Sequence, residues 1–396
     1  MKAPVVVVGA GPVGLATALT LAHQGVPVKV IEAQSALTVD HRAGSFHPPT
    51  LEMLEPFGVT EAMQRIGIKV PHWQIRDRRQ GVIVEWDLGL IADLTPYPYR
   101  FHLEQFRLTP ILYDKLRAFP HATVMFGVRF VDALQSADKV MVRTEGDPLE
   151  ASWLVGCDGG RSAVRKLLKT EFAGFTWPER FIVIGTHADF AASGFTSNAY
   201  VADPKEWAAV FHMPGDRPGG FWRLAFPVHQ DELEEQVLGD DAVEERMQRF
   251  VPRPQRYDVP HKGIYRVHQR VAKDWRAGRI VLAGDAAHLN NPLGAFGLNG
   301  GLHDAIHLGN YLARVWRDEA GESLLDLYVR QRRTANVEFV QTQSISNKRL
   351  LEEADPAARE SKFDELRRIA GDRELSRDFL IKSSMIWSVR RAAEIT

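Results

Sequence analysis

Four consecutive valines, Val5 to Val8, run directly into Gly9-Ala10-Gly11-Pro12-Val13-Gly14, and an apolar stretch from Leu15 to Gln24 follows. A short β-branched run closed by glycine has the pattern of a strand buried on both faces of a parallel sheet. Glycines at this spacing permit a tight turn and a close approach of backbone to a pyrophosphate. The free N–H groups and dipole at the start of the next helix favour negative charge there. Val28 to Glu32 reads as a second strand and completes a βαβ unit. Glu32 ends that strand, where its carboxylate would accept hydrogen bonds from a ribose diol and repel a 2′-phosphate. The stretch from Val5 to Leu21 is apolar enough to suggest a signal segment or a membrane span. However, Gly9, Gly11, Pro12 and Gly14 interrupt it, and it lacks a basic leader with a following cleavage site.

A chain of 396 residues leaves room for a large core and a second unit. Lys plus Arg is 49 against Asp plus Glu 50, so no global field attracts nucleic acid or anionic lipid. Cys157 is the single cysteine, which excludes an intrachain disulfide and a site built on several thiolates. With no other long apolar stretch, the expectation is a cytoplasmic protein without stable membrane insertion, without a nucleic-acid partner, and present as a monomer or homodimer. Helical spacing marks Thr50 to Ile66, broken at Gly58, and Leu108 to Ala118. Short alternating runs mark strands at Trp73 to Ile75, Val82 to Trp86, Phe101 to Leu103 and Ala151 to Gly156. From Phe175 to His268, strand-like runs separated by Pro and Gly predict a mainly antiparallel sheet. Arg279 to Ala283 returns to a buried parallel-type strand, and the tail from Glu322 is helical and charge-rich.

Two further clusters join the first glycine turn. Cys157-Asp158-Gly159-Gly160-Arg161-Ser162 follows a strand, and Gly284-Asp285-Ala286-Ala287-His288 follows Arg279 to Ala283. After the latter come Pro292, Gly294, Gly297, Leu298, Asn299 and Gly300, ahead of a helix expected from near Gly301. Together with Arg42, Pro49 to Glu52, and Glu104-Gln105-Phe106-Arg107-Leu108, these stretches resemble the fingerprints of class A flavoprotein monooxygenases, the para-hydroxybenzoate hydroxylase-like family. The resemblance runs from Val5 to about Leu308.

It implies an α/β fold with a doubly wound, Rossmann-like FAD-binding domain, an inserted antiparallel β-sheet substrate domain and a helical C-terminus. The FAD part would comprise residues 1–70, 100–175 and 269–345, the substrate sheet 71–99 and 176–268, and the helical segment 346–396. FAD is the implied cofactor, with NADH or NADPH as co-substrate and dioxygen and a small aromatic molecule as partners. By the same resemblance Gly9, Gly11, Pro12, Val13 and Gly14 would hold the pyrophosphate, and Glu32 with Ala33 the adenosine ribose. Arg42 and Gln105 would lie along the phosphate and sugar region, Asp158 would serve both FAD and the nicotinamide nucleotide, and Asp285, after Gly284, would meet the ribityl chain. Pro292, Gly297, Leu298 and Asn299 would line the flavin ring. The pair Ala295-Phe296 departs from the Gly-Gln-Gly seen in many family members, so contacts near the ring would differ.

The family's chemistry passes oxygen from a flavin C4a-hydroperoxide to an electron-rich ring, which requires a site that excludes water. Removing a proton from a phenol helps, so a His, Tyr or water relay is expected near the ring. Tyr200, His212 and Arg223 are the catalytic candidates, together with Pro292. Alternation places Phe221, Arg223 and Ala225 on one sheet face, and Arg223 has the chemistry to pair with a carboxylate or phenolate. Each also has a plainer reading as a satisfied strand residue. His288, His303 and His307 invite a metal reading, but no carboxylate-rich pattern accompanies them and no metal is expected. Cys157 reads as a packed thiol. Rival readings are a ubiquinone-pathway ring hydroxylase, an antibiotic-modifying monooxygenase, and a flavin reductase or binding protein that never oxygenates. A flavin halogenase is disfavoured because no Trp-x-Trp-x-Ile-Pro occurs.

Overall fold

The valine run forms a fully buried strand, Val5–Val8, between two parallel neighbours. The computed structural model describes residues 2–39 and 43–396. In its six-stranded sheet the order is Arg276–Ala277, Ile280–Leu282, Trp153–Gly156, Val5–Val8, Val28–Glu32 and Ala122–Phe126. Pairing is parallel except at the outermost pair, Arg276–Ala277 with Ile280–Leu282. From the central strand the chain first builds outward through Val28–Glu32, then returns to the opposite side at Trp153–Gly156. That reversal is a topological switch point, and it opens a crevice at the carboxyl ends of the strands.

Helix Pro12–His23 is buried almost all round. This suits a helix packed between the sheet and two others, Gln105–Arg117 and Phe296–Trp316. Proline at its first position costs nothing, because that N–H has no partner inside a helix.

An eight-stranded sheet forms the second layer, in the order His288–Leu289, His261–Ala272, Phe172–Thr186, Phe221–Val228, Ala208–Met213, Asn198–Ala202, His72–Asp77 and Gly81–Asp87. It is antiparallel except where Asn198–Ala202 runs parallel to His72–Asp77. The hairpin of residues 72–87 comes from an earlier part of the chain and docks on the edge, so hairpin connectivity does not set its direction. Phe172–Thr186 and His261–Ala272 pair from Phe172 with Ala272 to Gly185 with His261, with one irregularity between Thr176 and Arg180. They run continuously through the expected borders at 175/176 and 268/269, so these two strands connect the layers.

Side chains alternate across this sheet. Phe181, Val183, Ala209, Phe211 and Ala225 lie on one face, in an apolar cluster that includes residues of the C-terminal helices, and all but Phe181 also border the crevice. Ile182, Ile184, Val210 and Leu224 face helix Asp240–Phe250 on the other side. The tail is helical, with Thr342–Leu351, Pro356–Ala370, Arg373–Ser383 and Ile386–Glu394 following a π-turn at Asn336–Gln341. Among the described residues no helix is long and apolar enough to cross a membrane.

Three local expectations change. The helix foreseen from near Gly301 begins at Phe296, because Ala295 in the left-handed region (φ 61°) turns the chain directly into it. The helix foreseen over Thr50 to Ile66 divides into Pro48–Leu54, a 3₁₀ turn and Val59–Gln64, split at Gly58 with φ 64°. Ala151 to Gly156 is two strands, Leu149–Ala151 and Trp153–Gly156, which belong to different sheets.

Candidate active site

The carboxyl ends of Val5–Val8, Trp153–Gly156 and Ile280–Leu282 feed the three motif loops into the crevice. At the first, Gly11 caps the buried helix in an extended conformation. A Cβ on Gly14 would lie 1.9 Å from the Gly9 carbonyl oxygen, so only glycine lets helix and turn pack this closely. Glu32 is held against the turn: its Oε2 accepts the Ala10 N–H at 2.8 Å and its Oε1 the Gln34 N–H at 2.9 Å.

At the second loop Asp158 organises its own backbone, accepting from the Ser162 hydroxyl at 2.5 Å and from the N–H groups of Ala163 (2.6 Å) and Val164 (3.1 Å). Arg165 then ties the second loop to the third, donating to the carbonyls of Gly160 (2.8 Å) and Ala286 (2.9 Å).

Behind the third loop lies a buried charge network. Asp304 accepts from the Gly284 N–H at 3.1 Å, bonds His288 Nε2 at 2.6 Å and accepts from Arg332 Nε at 2.7 Å. Burial alone would raise its pKa, but His288 and Arg332 outweigh this and hold the carboxyl at about 2.

The turn from Pro292 to Gly297 is pinned from several sides. The Gly294 N–H donates to the Tyr200 hydroxyl at 3.2 Å, and its carbonyl meets His47 Nε2 at 2.8 Å. Burial, reinforced by the Arg100 charge, pushes the His47 pKa down to about 3. His47 is therefore a neutral ring that donates through Nε2. Gly294 sits at φ 108°, and a Cβ there would lie 2.3 Å from the Phe296 ring. Asn299 is fully buried and fastens the start of the long helix: its Oδ1 accepts from His47 N–H (2.9 Å) and the Thr50 hydroxyl (2.6 Å), and its Nδ2 donates to Ser45 and Ala295 carbonyls.

These loops enclose a cavity of about 580 Å³. Gly9, Gly11, Pro12, Val13, Glu32 and Ala33 line it from the first motif, and Gln105, Asp158 and Asp285 from the next elements. Pro292, Gly297 and Leu298 meet Arg223 of the large sheet across it. Gly14, Gly284 and Asn299 pack behind the lining. Arg42 lies outside the described residues. A second cavity of about 590 Å³ lies between the sheet and the C-terminal helices, lined by Trp73, Arg100, Tyr200, Asn347 and Phe379 among others. One turn forms part of both walls: Leu293 and Ala295 face the first cavity, Gly294 and Phe296 the second.

The catalytic candidates therefore separate. Arg223 and Pro292 border the first cavity and Tyr200 the second. The structure brings His212 to neither, since its ring stacks on Trp222 at 4.7 Å and bonds the Gly219 carbonyl at 2.8 Å. His288 is occupied by Asp304 and His303 by Thr50 at 2.9 Å. Sequence reasoning missed Arg100, Arg165, Asp304 and Asn347. The one local signal was Arg100 itself, a lone cation in the aromatic run Tyr97-Pro98-Tyr99-Arg100-Phe101.

A flavin dinucleotide suits the first cavity. A Cβ on Gly11 would meet nothing within 4 Å, so that side is open for a ligand. Ser45 Oγ and Asn290 Oδ1 are buried at the lining without protein partners. The lining combines the N–H donors of a helix start with spaced carboxylate acceptors, which suits phosphate next to sugar hydroxyls.

Residues 2–343 match the FAD binding domain family. Over 389 residues the chain is 36% identical to para-nitrophenol 4-monooxygenase of Pseudomonas sp. (strain WBC-3), covering 95% of this chain and 94% of that one. The chain is a class A FAD-dependent aromatic hydroxylase. It is also 33% identical over 386 residues to 6-hydroxy-3-succinoylpyridine 3-monooxygenase of Pseudomonas putida (strain DSM 28022 / S16), covering 96% of this chain and 97% of that one. The crystal structure of p-nitrophenol 4-monooxygenase from Pseudomonas putida DLL-E4 superposes with a TM-score of 0.92 at 33% identity, over 99% of this chain and 98% of that one. As a member of this class the protein is an FAD-dependent monooxygenase of small phenol-type aromatics, drawing on NAD(P)H and dioxygen.

Proposed function

We propose that the substrate is a single-ring phenol or hydroxypyridine carrying a substituent para to its hydroxyl, seated in the second cavity with its reacting edge at the Gly294–Phe296 turn. The observation that carries this reading is the shared turn: one short segment walls a dinucleotide-lined cavity on one side and an aromatic-lined cavity on the other. FAD, when bound, supplies electron transfer from NAD(P)H and activation of dioxygen. The remaining work belongs to the chain. The first cavity would hold the pyrophosphate at Gly11 to Gly14, the adenosine ribose at Glu32 and the ribityl chain at Asp285, with Pro292, Gly297 and Leu298 beside the ring. Arg223 would stand at the sheet side of that ring.

In the second cavity Trp73 meets Tyr200 edge-on at 6.1 Å and stacks on Phe379 at 6.0 Å. Such walls take a flat ring and keep water from it. The relatives named above act on a nitrophenol and a hydroxypyridine, which supports a one-ring substrate. The test is NAD(P)H oxidation and oxygen uptake by the holoenzyme with 4-nitrophenol, 4-cyanophenol, hydroxypyridines and fused-ring phenols. Single-ring compounds should stimulate both and yield a hydroxylated product. Stimulation by fused-ring phenols alone would overturn the reading.

A further inference from the structure

The second cavity contains a positive charge that the chain does not neutralise. Arg100, on the short strand Arg100–His102, is 2% exposed, and its guanidinium lies 4.3 Å from the centre of the Trp73 ring. Its Nε and Nη1 are buried with no hydrogen-bond partner, and no carboxylate among the described residues pairs with it. Its polar neighbour is the Tyr200 hydroxyl. The other titratable groups nearby are His47 and His102, and burial pushes the pKa of each down to about 3, so both are neutral. Arg349, Lys362 and Glu365 also line the cavity. Of these, Lys362 is paired with Glu353 and Glu365 with Arg368.

Burying a guanidinium without a counter-charge costs several kcal/mol, because the Tyr200 hydroxyl and the Trp73 face replace only part of the hydration it loses. It also remains protonated at any ordinary pH. A site that keeps such a group among aromatic walls is completed by a flat ligand that brings its own negative oxygen.

Building on the reading of this cavity as the substrate seat, we propose that Arg100 binds the phenolate oxygen of the substrate, so that the cavity selects the ionised phenol over the neutral one. The anion is taken from solution with its proton already lost to solvent, so binding requires no proton transfer inside the site. An ionised oxygen also makes the ring more electron-rich, which favours its hydroxylation. Arg100 is thus a specificity-determining residue and the anchor for the ring's orientation.

The test uses 4-nitrophenol, whose phenolate absorbs visible light and so reports its own ionisation state when bound. Wild-type holoenzyme titrated with it from mildly acid to alkaline pH should bind the phenolate and lower the phenol's pKa. Arg100→Met should abolish the pKa shift and weaken phenolate binding about 10- to 100-fold, the range for losing a charge-assisted hydrogen bond. Arg100→Lys should keep part of both. Nitrobenzene, which has no phenol oxygen, should bind wild type and Arg100→Met alike, and this checks that the cavity has survived. 4-Cyanophenol should behave as 4-nitrophenol does. If Arg100→Met fails to fold, wild type and Arg100→Lys decide. Wild-type binding of neutral 4-nitrophenol as tight as that of its anion overturns the proposal. So does an Arg100-dependent affinity for benzoate with none for phenolates. Phenol-stimulated NAD(P)H oxidation alongside either result would leave the proposed substrate reading standing and remove only the Arg100 assignment. No binding of any phenol would remove both.

Discussion

Asp304 offers the sharpest test of how the third motif loop is held. Its carboxylate satisfies a cation (Arg332), a histidine (His288) and the N–H of Gly284 in a fully buried setting. Asp304→Ala would leave the Arg332 guanidinium, 3% exposed, without its counter-charge. Removing one partner of a buried pair costs about 3–5 kcal/mol, mostly for the charge left behind. The proton linkage gives an independent scale. A carboxyl held at about 2 rather than 3.8 contributes about 2 kcal/mol at neutral pH, because each tenfold change in proton affinity corresponds to about 1.4 kcal/mol. Because the folded-state pKa is depressed, this contribution is complete above about pH 4 and is lost as pH falls through about 2. The assay is denaturant unfolding followed by both flavin release and tryptophan emission. Asp304→Ala should unfold about 3–5 kcal/mol more easily, with flavin leaving early because the freed Gly284 N–H belongs to the cofactor loop. Asp304→Leu combined with Arg332→Met should recover more than half of the loss, since it removes both charges. A single variant within about 1 kcal/mol of wild type, or a double variant worse than the single, would refute this account.

Glu32→Ala removes both the proposed ribose acceptor and the brace on the Ala10 N–H. FAD affinity should fall on the order of 10- to 100-fold, measured by equilibrium dialysis; an unchanged Kd would move the ribose elsewhere. Burial pushes the Cys157 thiol well above its ordinary pKa, only partly offset by Thr17, so the folded holoenzyme should resist thiol reagents and take up one equivalent after unfolding. Stoichiometric labelling with FAD still bound would contradict that burial.

The cofactor half of this enzyme is legible in its sequence because dinucleotide recognition is made mostly by backbone. Gly9 is held by its positive φ and Gly14 by the close approach of the Gly9 carbonyl, while Gly11 leaves room for a ligand, and the strand before the turn must be apolar on both faces. Glu32 and Asp285 follow at strand ends, where the chain has a single direction to go. What lay beyond reach was the scaffolding behind the loops. Asp158 looks like a ligand residue, yet its carboxylate is also bonded to Ser162, Ala163 and Val164. Asn299 looks like part of a flavin motif, yet both ends of its side chain hold protein. Motif residues can serve the fold and the ligand together, and spacing does not separate the two.

The substrate half resists sequence reading for a different physical reason. Alternation along a strand assigns a side chain to a face, and it did so correctly for Arg223 and Ala225, but it does not say which cavity that face borders. His212 lies next to Phe211 on the same strand and points to the opposite layer, onto Trp222. Tyr200 is on the same face as Phe211, at an edge-on separation of 5.9 Å, yet it looks into the second cavity. Arg100 comes from a three-stranded sheet outside both main layers, and its neighbours Trp73, Tyr200 and Gly294 come from three distant stretches of chain. A buried cation lacking a counter-charge is a property of that convergence. It becomes visible only once the surroundings of Arg100 are complete, and for that reason specificity in this fold can change through single side chains while the cofactor loops stay the same.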